Sequence, residues 1–316
     1  MRRREFIGLL GVAPKAAPRY SVLIRGGTVF DGTGAPGRRA DIAVQGDRIA
    51  LVGDAGAASA ALTVDAGGMA VAPGFINMLS WAADWLIQDG RGLSDLKQGV
   101  TLEIFGEGWS MGPLNQEMRA RLADGQGDLK FDVAWTPLGE YLDHLARRGV
   151  SPNVASFVGA TTVRIHELGY ADRAPTPDEL ARMQDLVRQA MREGALGVGS
   201  SLIYPPAFYA RTPELVALVQ AAAEFGGTYI SHVRSEGARL LEAIDELIAI
   251  ARADQSFGPE HFLVGARQAY EMIITSFADG NRKTLRGLLG KDVFDGFSTA
   301  LSEREARGEQ IDQSFV

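Results

Sequence analysis

The chain has 316 residues, of which 46% are hydrophobic and 22% are charged, so it has room for about two globular domains and is too apolar for a disordered or fibrous protein. Its formal net charge of −7 disfavours binding to polyanions, so nucleic acid is not expected as a partner. No run of about 18 apolar residues is present, and we expect no membrane-spanning segment.

The chain contains no cysteine, which narrows the available chemistry. Disulfides, thiolate nucleophiles and cysteine-ligated zinc are excluded. The four histidines that remain for metal binding or proton transfer are His144, His166, His232 and His261. A metal site must therefore depend on carboxylates. The 38 glycines suit many tight turns between strands and helices, and they favour an α/β fold.

Residues 1–20 form a basic N-terminal segment. An arginine cluster at residues 2–4 precedes an apolar run that stops at Pro14, and no Ala-x-Ala cleavage site follows. This pattern resembles a truncated twin-arginine export signal. The resemblance implies a periplasmic location if the signal functions, whereas a plain basic N-terminus implies a cytoplasmic location.

Residues 21–72 alternate short β-rich runs with glycine turns. The runs lie at residues 22–24, 28–30, 41–44 and 48–52. Gly26-Gly27, Asp31-Gly32 and Gly46-Asp47 supply turn signals between them. The pattern predicts a small antiparallel sheet.

From residue 73 to residue 253 the rhythm becomes apolar strand, polar loop and amphipathic helix, which predicts parallel βα units. The predicted strands lie at residues 75–79, 100–105, 153–158, 195–200 and 228–231. Thr176 and Glu179 form a capping box that opens one helix, Gly194 ends that helix, and Thr212 opens the next in a similar way. This pattern permits either a doubly wound sheet or a (β/α)₈ barrel.

Six motifs occur along the same region in a characteristic order. They are APGFI at 72–76, QGVT at 98–101, GEGWS at 106–110, RAPT at 173–176, SLIYP at 201–205 and YISHVR at 229–234. In this order and spacing the chain resembles the D-aminoacylase (N-acyl-D-amino-acid deacylase) branch of the amidohydrolase superfamily over residues 21–253.

The resemblance implies a fold and an activity. It implies a small β-sandwich followed by a metal-dependent TIM-like (β/α) barrel that hydrolyses the amide bond of an N-acyl amino acid with a metal-activated water. It further implies that His232 is a metal ligand and that Tyr204 and Arg234 bind the substrate. The alternative roles are purely structural: His232 would be a hydrogen-bonded structural histidine, Tyr204 would pack in the core, and Arg234 would form a salt bridge.

Departures from the family pattern weaken the metal site. The His-x-His at the end of the first strand matches Leu79 and Trp81, which cannot bind a metal. The family's metal-binding cysteine matches Glu107, whose carboxylate is an acceptable zinc ligand, and Glu103 lies on the same strand face. We therefore expect Glu107 and His232 to bind at most one zinc ion, weakly. No residue of this chain matches the family's catalytic aspartate.

The stretch from Val71 to Ala253 is too short for eight βα units of about 31 residues each. The expected fold is thus α/β, with an incomplete TIM-like barrel of about five strands. Such a barrel would leave an apolar edge that favours self-association. The expected function is that of an amidohydrolase that is degenerate or inactive as this chain, with the catalytic residue unassigned.

Residues 259–316 follow a different, helical pattern. Apolar residues recur at helical spacing from Phe262 to Phe277, and a second amphipathic stretch includes Val293, Phe294 and Phe297. The segment resembles the start of the import-motor anchor domain (the Tim forty-four family); alternatively it covers the open barrel. Resemblances to three unrelated families suggest a fusion. The alternative function is a non-catalytic fusion protein whose helical tail associates with a membrane or a protein partner.

Overall fold

The computed structural model describes residues 20–128, 130–252, 272–273, 275–289 and 291–307. The fold is mixed α/β, as the sequence predicts, and the chain divides into two compact units, Met1–Phe75 and Ile76–Val316. The segment that resembles an export signal lies outside the described residues, apart from Tyr20. The predicted domain boundaries stay predictions.

The first unit contains one five-stranded sheet. Its strands are β1 (Tyr20–Val29), β2 (Arg38–Gln45), β3 (Arg48–Gly53), β4 (Ala60–Asp65) and β5 (Ala70–Val71). The order is β3-β2-β1-β4, with β5 also paired to β1. β1–β2 and β2–β3 are antiparallel, but β4 and β5 run parallel to β1. The antiparallel prediction is therefore wrong for these two strands, because the chain after β3 crosses to the far side of β1.

The second unit contains the predicted βα rhythm. Its strands are β6 (Phe75–Asn77), β7 (Val100–Phe105), β8 (Asn153–Ser156), β9 (Val158–Gly159), β10 (Gly197–Ser201) and β11 (Thr228–His232). They form two sheets of order β6-β7-β8 and β11-β10-β9. β7–β8, β9–β10 and β10–β11 are parallel pairs.

The third predicted strand is divided at Phe157. Residues 153–156 pair with β7, whereas residues 158–159 pair with β10. The amide of Phe157 still donates to the carbonyl of Phe105 at 2.9 Å. One stretch of chain thus joins the two sheets, and the strands follow one another in the order that successive βα units require. A barrel geometry and a sandwich stay predictions.

Helices connect the strands and complete the second unit. They are α1 (Trp85–Gln88), α2 (Leu93–Leu96), α3 (Gln116–Asp124), α4 (Leu138–Arg148), α5 (Ala160–Leu168), α6 (Pro177–Arg192), α7 (Thr212–Ala223), α8 (Leu240–Ala251), α9 (Arg282–Leu288) and α10 (Lys291–Arg307), with a 3-10 turn at Ala207–Tyr209. The apolar faces of α1 and of α3 to α8 pack with β9 and β10 into one core; fully buried members include Trp135, Tyr141, Val158, Val163, Val198 and Leu215.

The start of α6 agrees with the prediction, whereas the start of α7 does not. At α6 the Thr176 hydroxyl accepts from the Glu179 amide at 3.3 Å, and the Glu179 carboxylate accepts from the Thr176 amide at 2.7 Å. At α7 the helix begins on Thr212 without a side-chain cap. The Thr212 hydroxyl instead donates to Glu246 of α8 at 2.9 Å. The threonine therefore connects two helices.

A buried ion pair connects α5 to α7. Arg164 donates to the Glu214 carboxylate at 2.6 Å and to the carbonyls of Ala171 and Arg173 at 3.0 and 2.6 Å. Both charged side chains are almost completely buried. Burial raises the pKa of Glu214, and the neighbouring Arg164 guanidinium opposes that rise. The pair therefore holds two helices and the loop after α5 together.

The described part of the tail is helical, as predicted. The rings of Phe277 and Phe297 pack edge to face with their centroids 5.0 Å apart. Leu285 and Leu301 are fully buried, and Arg282 pairs with Glu305 at 2.7 Å. The start of the first predicted helical stretch, at Phe262, lies outside the described residues.

The buried ion pair generates a stability prediction. Glu214→Gln leaves the Arg164 guanidinium buried without its counter-charge, so we expect the free energy of unfolding to fall by about 3–5 kcal/mol. Glu224→Gln is the matched control, because it removes an exposed partner of Arg188 at 2.7 Å and should cost far less. Urea unfolding at pH 7 measures both variants, and equal losses would contradict the prediction.

Candidate active site

The candidate site lies at the carboxyl ends of β7, β10 and β11. Glu107 follows β7, Ser201 is the last residue of β10, and His232 is the last residue of β11. Ser201 and His232 are register partners on neighbouring strands. The Ser201 hydroxyl donates to the Glu107 carbonyl and lies 3.4 Å from its Oε2. The structure thus brings together both residues that the sequence proposes as metal ligands.

Two glycines allow Glu107 to reach β10. Gly106 has a φ of +93°, and a Cβ there would collide with the Phe157 carbonyl. A Cβ on Gly108 would collide with the side chain of Ser201. Both flanking positions therefore require glycine for the turn to pack this closely, and the Gly-Glu-Gly sequence determines where the carboxylate lies.

The electrostatic surroundings of Glu107 are mixed. Burial raises the pKa of Glu107, the neighbouring His232 and the Ser201 hydrogen bond oppose that rise, and the Glu236 carboxylate adds to it. His232 Nε2 lies 3.3 Å from Glu236 Oε1. A carboxylate beside one ring nitrogen is the usual way in which a metal-binding imidazole is oriented. Ser201 and Glu236 were missed by sequence reasoning, although Glu236 could have been found four residues after His232.

Tyr204 lies beside this pair. Its ring meets the His232 ring edge to face, with centroids 5.4 Å apart, and the tyrosine is about half exposed. The phenol is therefore placed next to the proposed metal ligand and open to a substrate. Its predicted role in substrate binding stays a prediction.

Arg234 is already held by the protein. Its Nε and Nη2 donate to the two carboxylate oxygens of Glu246 at 2.8 and 3.0 Å. Nη1 donates to the Phe208 carbonyl at 2.7 Å, and Nη2 donates to the Ala210 carbonyl at 2.8 Å. Because the guanidinium has five N–H donors, one hydrogen on Nη1 remains for a substrate. A bidentate substrate contact would compete with Glu246.

Glu103 is buried away from the pair formed by Glu107 and His232. It accepts a hydrogen bond from Asn77 Nδ2 at 3.0 Å, which joins β7 to β6. Within the described residues, no group of three or more histidine, aspartate or glutamate side chains has a geometry that could hold a metal ion. Glu107 and His232 therefore form a pair of candidate ligands, not a complete metal-binding set.

A cavity of about 380 Å³ adjoins Glu107. Leu79 and Trp81, the two positions where the family has metal-binding histidines, both line it. Their apolar side chains replace imidazoles with a hydrophobic wall. The cavity and the strand-end residues together have the arrangement of a site in an enzyme built from βα units.

Comparison with known proteins agrees with this class. The chain is 37% identical over 237 residues to a D-aminoacylase of Alcaligenes xylosoxydans xylosoxydans. The aligned region covers 74% of this chain and 48% of that protein. An N-acyl-D-aspartate deacylase of the same organism is 33% identical over 75% of this chain and 48% of its own length. The chain is thus homologous to D-aminoacylases, which are amidohydrolases, and it spans about half the length of the curated relatives it matches.

Solved structures agree with the sequence relatives. A D-aminoacylase structure, described as defining a novel subset of amidohydrolases, is 34% identical and has a TM-score of 0.67, covering 74% of this chain and 49% of that one. The N-acyl-D-glutamate deacylase of Bordetella bronchiseptica, solved with zinc and a phosphonate inhibitor, is 33% identical over the same shares with a TM-score of 0.65.

The C-terminal segment matches a different family. Residues 245–316 match the family model of the Tim44-like domain, which agrees with the resemblance found in the sequence. Across the parts of the chain that the structure describes, no helix combines the length and the apolar character needed to cross a membrane.

The environment of Glu107 generates a pH prediction for the metal-free protein. Burial raises the pKa of Glu107, so the folded state favours the neutral carboxyl. The stability that this preference contributes is fully present below about pH 4 and is lost as pH rises through the folded-state pKa. Glutamine does not titrate. Glu107→Gln should therefore gain stability relative to wild type between about pH 4 and pH 7, measured by urea unfolding with chelator.

The control for this prediction has the opposite sign. Arg188 lowers the pKa of Glu224, so the stability that this carboxylate contributes is present above its ordinary pKa and is lost as pH falls through the folded-state value. Glu224→Gln should accordingly lose stability relative to wild type at neutral pH and not in acid. A Glu107→Gln variant that follows the same trend as Glu224→Gln would refute the assignment.

Proposed function

We propose that this chain is a metal-dependent amidohydrolase that acts on the amide bond of N-acyl-D-amino acids. Homology to D-aminoacylases over 74% of the chain supports the reaction class. The single structural observation that carries the proposal is the convergence of Glu107 and His232 at the ends of β7 and β11, joined through Ser201.

The proposed metal ligands are Glu107 and His232, and they bind at most one zinc ion, weakly. A carboxylate and an imidazole are both suitable zinc donors, and the two side chains influence each other electrostatically. Glu236 orients the imidazole by facing its Nε2. A bound zinc ion supplies a more acidic water and a polarised amide carbonyl. Two protein ligands are fewer than the three usual at a catalytic zinc site, so the affinity is low.

The remaining side chains bind and orient the substrate. Tyr204 donates a hydrogen bond from its exposed phenol, next to His232. Arg234 contacts the substrate carboxylate through its free Nη1 hydrogen, while Glu246 holds the rest of the guanidinium in place. The general acid or base is not assigned to a residue. Turnover by the chain alone is therefore slow, since positioned proton transfer contributes about 10²- to 10⁴-fold in rate.

Metal content tests the proposed ligands directly. After dialysis against zinc, the protein should retain at most one ion, and His232→Ala should abolish that binding. His166→Ala is a matched control, because His166 also faces a carboxylate, at 3.0 Å, and has the same side-chain exposure of 22%. Plasma mass spectrometry of the dialysed proteins gives the stoichiometry. Two tightly held ions, or loss of zinc in both variants, would contradict the ligand assignment.

Hydrolysis tests the proposed activity. Zinc-loaded protein should release the free amino acid from N-acetyl-D-amino acids slowly, and chelator or His232→Ala should abolish the release. We expect turnover at least about 10²-fold below that of an efficient deacylase. Mass spectrometry of the released amino acid measures it. Hydrolysis that survives chelation, or that favours the L-enantiomer, would refute the proposal.

A second candidate function concerns the tail. The match of residues 245–316 to the Tim44-like domain favours a role in association with a protein partner or a membrane, independent of catalysis. Exposed Val293 and half-buried Phe297 on α10, together with half-buried Phe277 before α9, provide an apolar surface. Self-association is a further part of this second candidate function. It would use exposed apolar side chains near β6, which include Ile76, Met78 and Trp85. Sedimentation over a range of concentrations tests this self-association.

A further inference from the structure

The cavity beside Glu107 is apolar along most of its wall. It is enclosed by the segment that follows β6, the end of β7 and helix α3, and its apolar lining includes Leu79, Trp81, Trp109, Met111, Leu114 and Tyr170. Its volume of about 380 Å³ falls within the range of small-molecule sites, roughly 300–1,000 Å³. The wall therefore offers burial for a hydrophobic group and few contacts for a polar one.

The polar side chains of the cavity already have partners in the protein. Ser110 donates to the Gly112 carbonyl and accepts from the Gly159 amide. Asp84 accepts from the Trp85 amide, at the start of α1, at 3.0 Å.

Arg121, the positive charge in the wall, is engaged twice. It pairs with Glu117 at 2.9 Å, and its guanidinium lies 5.1 Å from the Tyr170 ring centroid. Among the hydrogen bonds of the described residues, the Glu107 carboxylate has only the long 3.4 Å contact from Ser201, so the group left to orient a ligand lies at one end of an apolar cavity.

The charges of the cavity select which end of an N-acyl amino acid enters it. Every N-acyl amino acid carries a carboxylate at the amino-acid end and an uncharged group at the acyl end. The cavity presents the carboxylates of Asp84 and Glu107, and its one arginine is already paired. An anionic end is therefore repelled, whereas an apolar acyl chain gains the free energy of burial.

We propose that this cavity binds the acyl group of the substrate and selects N-acyl-D-amino acids with long or aromatic acyl chains over N-acetyl compounds. The inference rests on the proposed function, because the amide must lie beside Glu107 and His232 for its acyl chain to enter the cavity. Leu79 and Trp81 are the physical basis: at the positions that the sequence resemblance matches to metal-binding histidines, they give the cavity wall apolar side chains.

Binding to metal-free protein tests the inference without requiring turnover. Quenching of tryptophan fluorescence, to which Trp81 and Trp109 contribute, is titrated in chelator with N-acetyl-D-alanine and N-octanoyl-D-alanine. Six added methylenes should tighten binding at least about 30-fold even if only half of them are buried, since burial of each contributes about three- to fourfold. The control ligand is N-acetyl-D-2-aminononanoic acid, an isomer of N-octanoyl-D-alanine that carries the added hydrocarbon on the amino-acid side. Its affinity should exceed that of N-acetyl-D-alanine by no more than about threefold.

Two neighbouring substitutions separate the cavity from general surface hydrophobicity. Leu79→Gln should reduce the advantage of the octanoyl ligand at least about fivefold. Met78→Gln should leave it unchanged, because Met78 is 50% exposed, comparable to Leu79 at 46%, and does not line the cavity. Trp81→Gln provides a second cavity variant, at a position that is 65% exposed. Circular dichroism checks that each variant is folded.

The outcomes distinguish this inference from the proposed function. Equal affinity for the acetyl and octanoyl ligands, tight binding of the isomer, or equal effects of Leu79→Gln and Met78→Gln overturns the inference, even if zinc-dependent hydrolysis is found. Acyl-length-dependent binding that is lost in Leu79→Gln supports the cavity assignment, and absence of zinc-dependent hydrolysis in the same protein then overturns the activity alone.

Discussion

The close packing of the Gly-Glu-Gly turn against the neighbouring strands is the constraint on which the candidate site depends. Gly106 approaches the Phe157 carbonyl, and Gly108 approaches Ser201, at distances that admit no side chain. The backbone after β7 therefore packs directly against β10, and this packing determines where the Glu107 carboxylate lies. Burial against this backbone also raises the pKa of Glu107, so the turn sets both its position and its protonation behaviour.

The same turn separates two regions of different chemistry. On one side are His232, Glu236 and the exposed Tyr204 ring, which can bind and orient polar groups. On the other side is the apolar cavity that Leu79 and Trp81 help to line. An amide with a charged end and a hydrocarbon end matches this division, since one side presents polar side chains and the other an apolar wall. The apolar side chains of Leu79 and Trp81 thus determine the character of the cavity wall.

The helices around the site are held by charged side chains as well as by apolar packing. Arg164 and Glu214 join α5 to α7, and Arg234 with Glu246 anchors the segment after β11 to α8. Such pairs fix geometry because each buried charge is costly unless its partner stays in place. Arg234 illustrates the consequence: a residue suited to bind a substrate carboxylate already binds one of the protein's own.

Local sequence signals predicted the elements whose causes are local. The capping box at Thr176 and the apolar strand at residues 100–105 are determined by neighbouring residues, and both are found. The homologous motifs also indicated the amidohydrolase relationship and paired Glu107 with His232, because motif order reflects strand order. The division of the third strand at Phe157, the parallel pairing of β4 with β1 and the uncapped start of α7 were not predicted.

Those features depend on contacts between residues distant in the chain, which no local pattern records. Phe157 divides its strand because β7 and β10 lie on opposite sides of it, and Thr212 forgoes capping because Glu246 is within reach. Likewise, Leu79 and Trp81 could be recognised from sequence as missing ligands, but only packing showed that they wall a cavity beside Glu107. The sequence by itself determined the residue types at the site and their strand-end positions; the tertiary structure decided which of them meet, since through-space contacts set burial, pairing and the shape of the cavity.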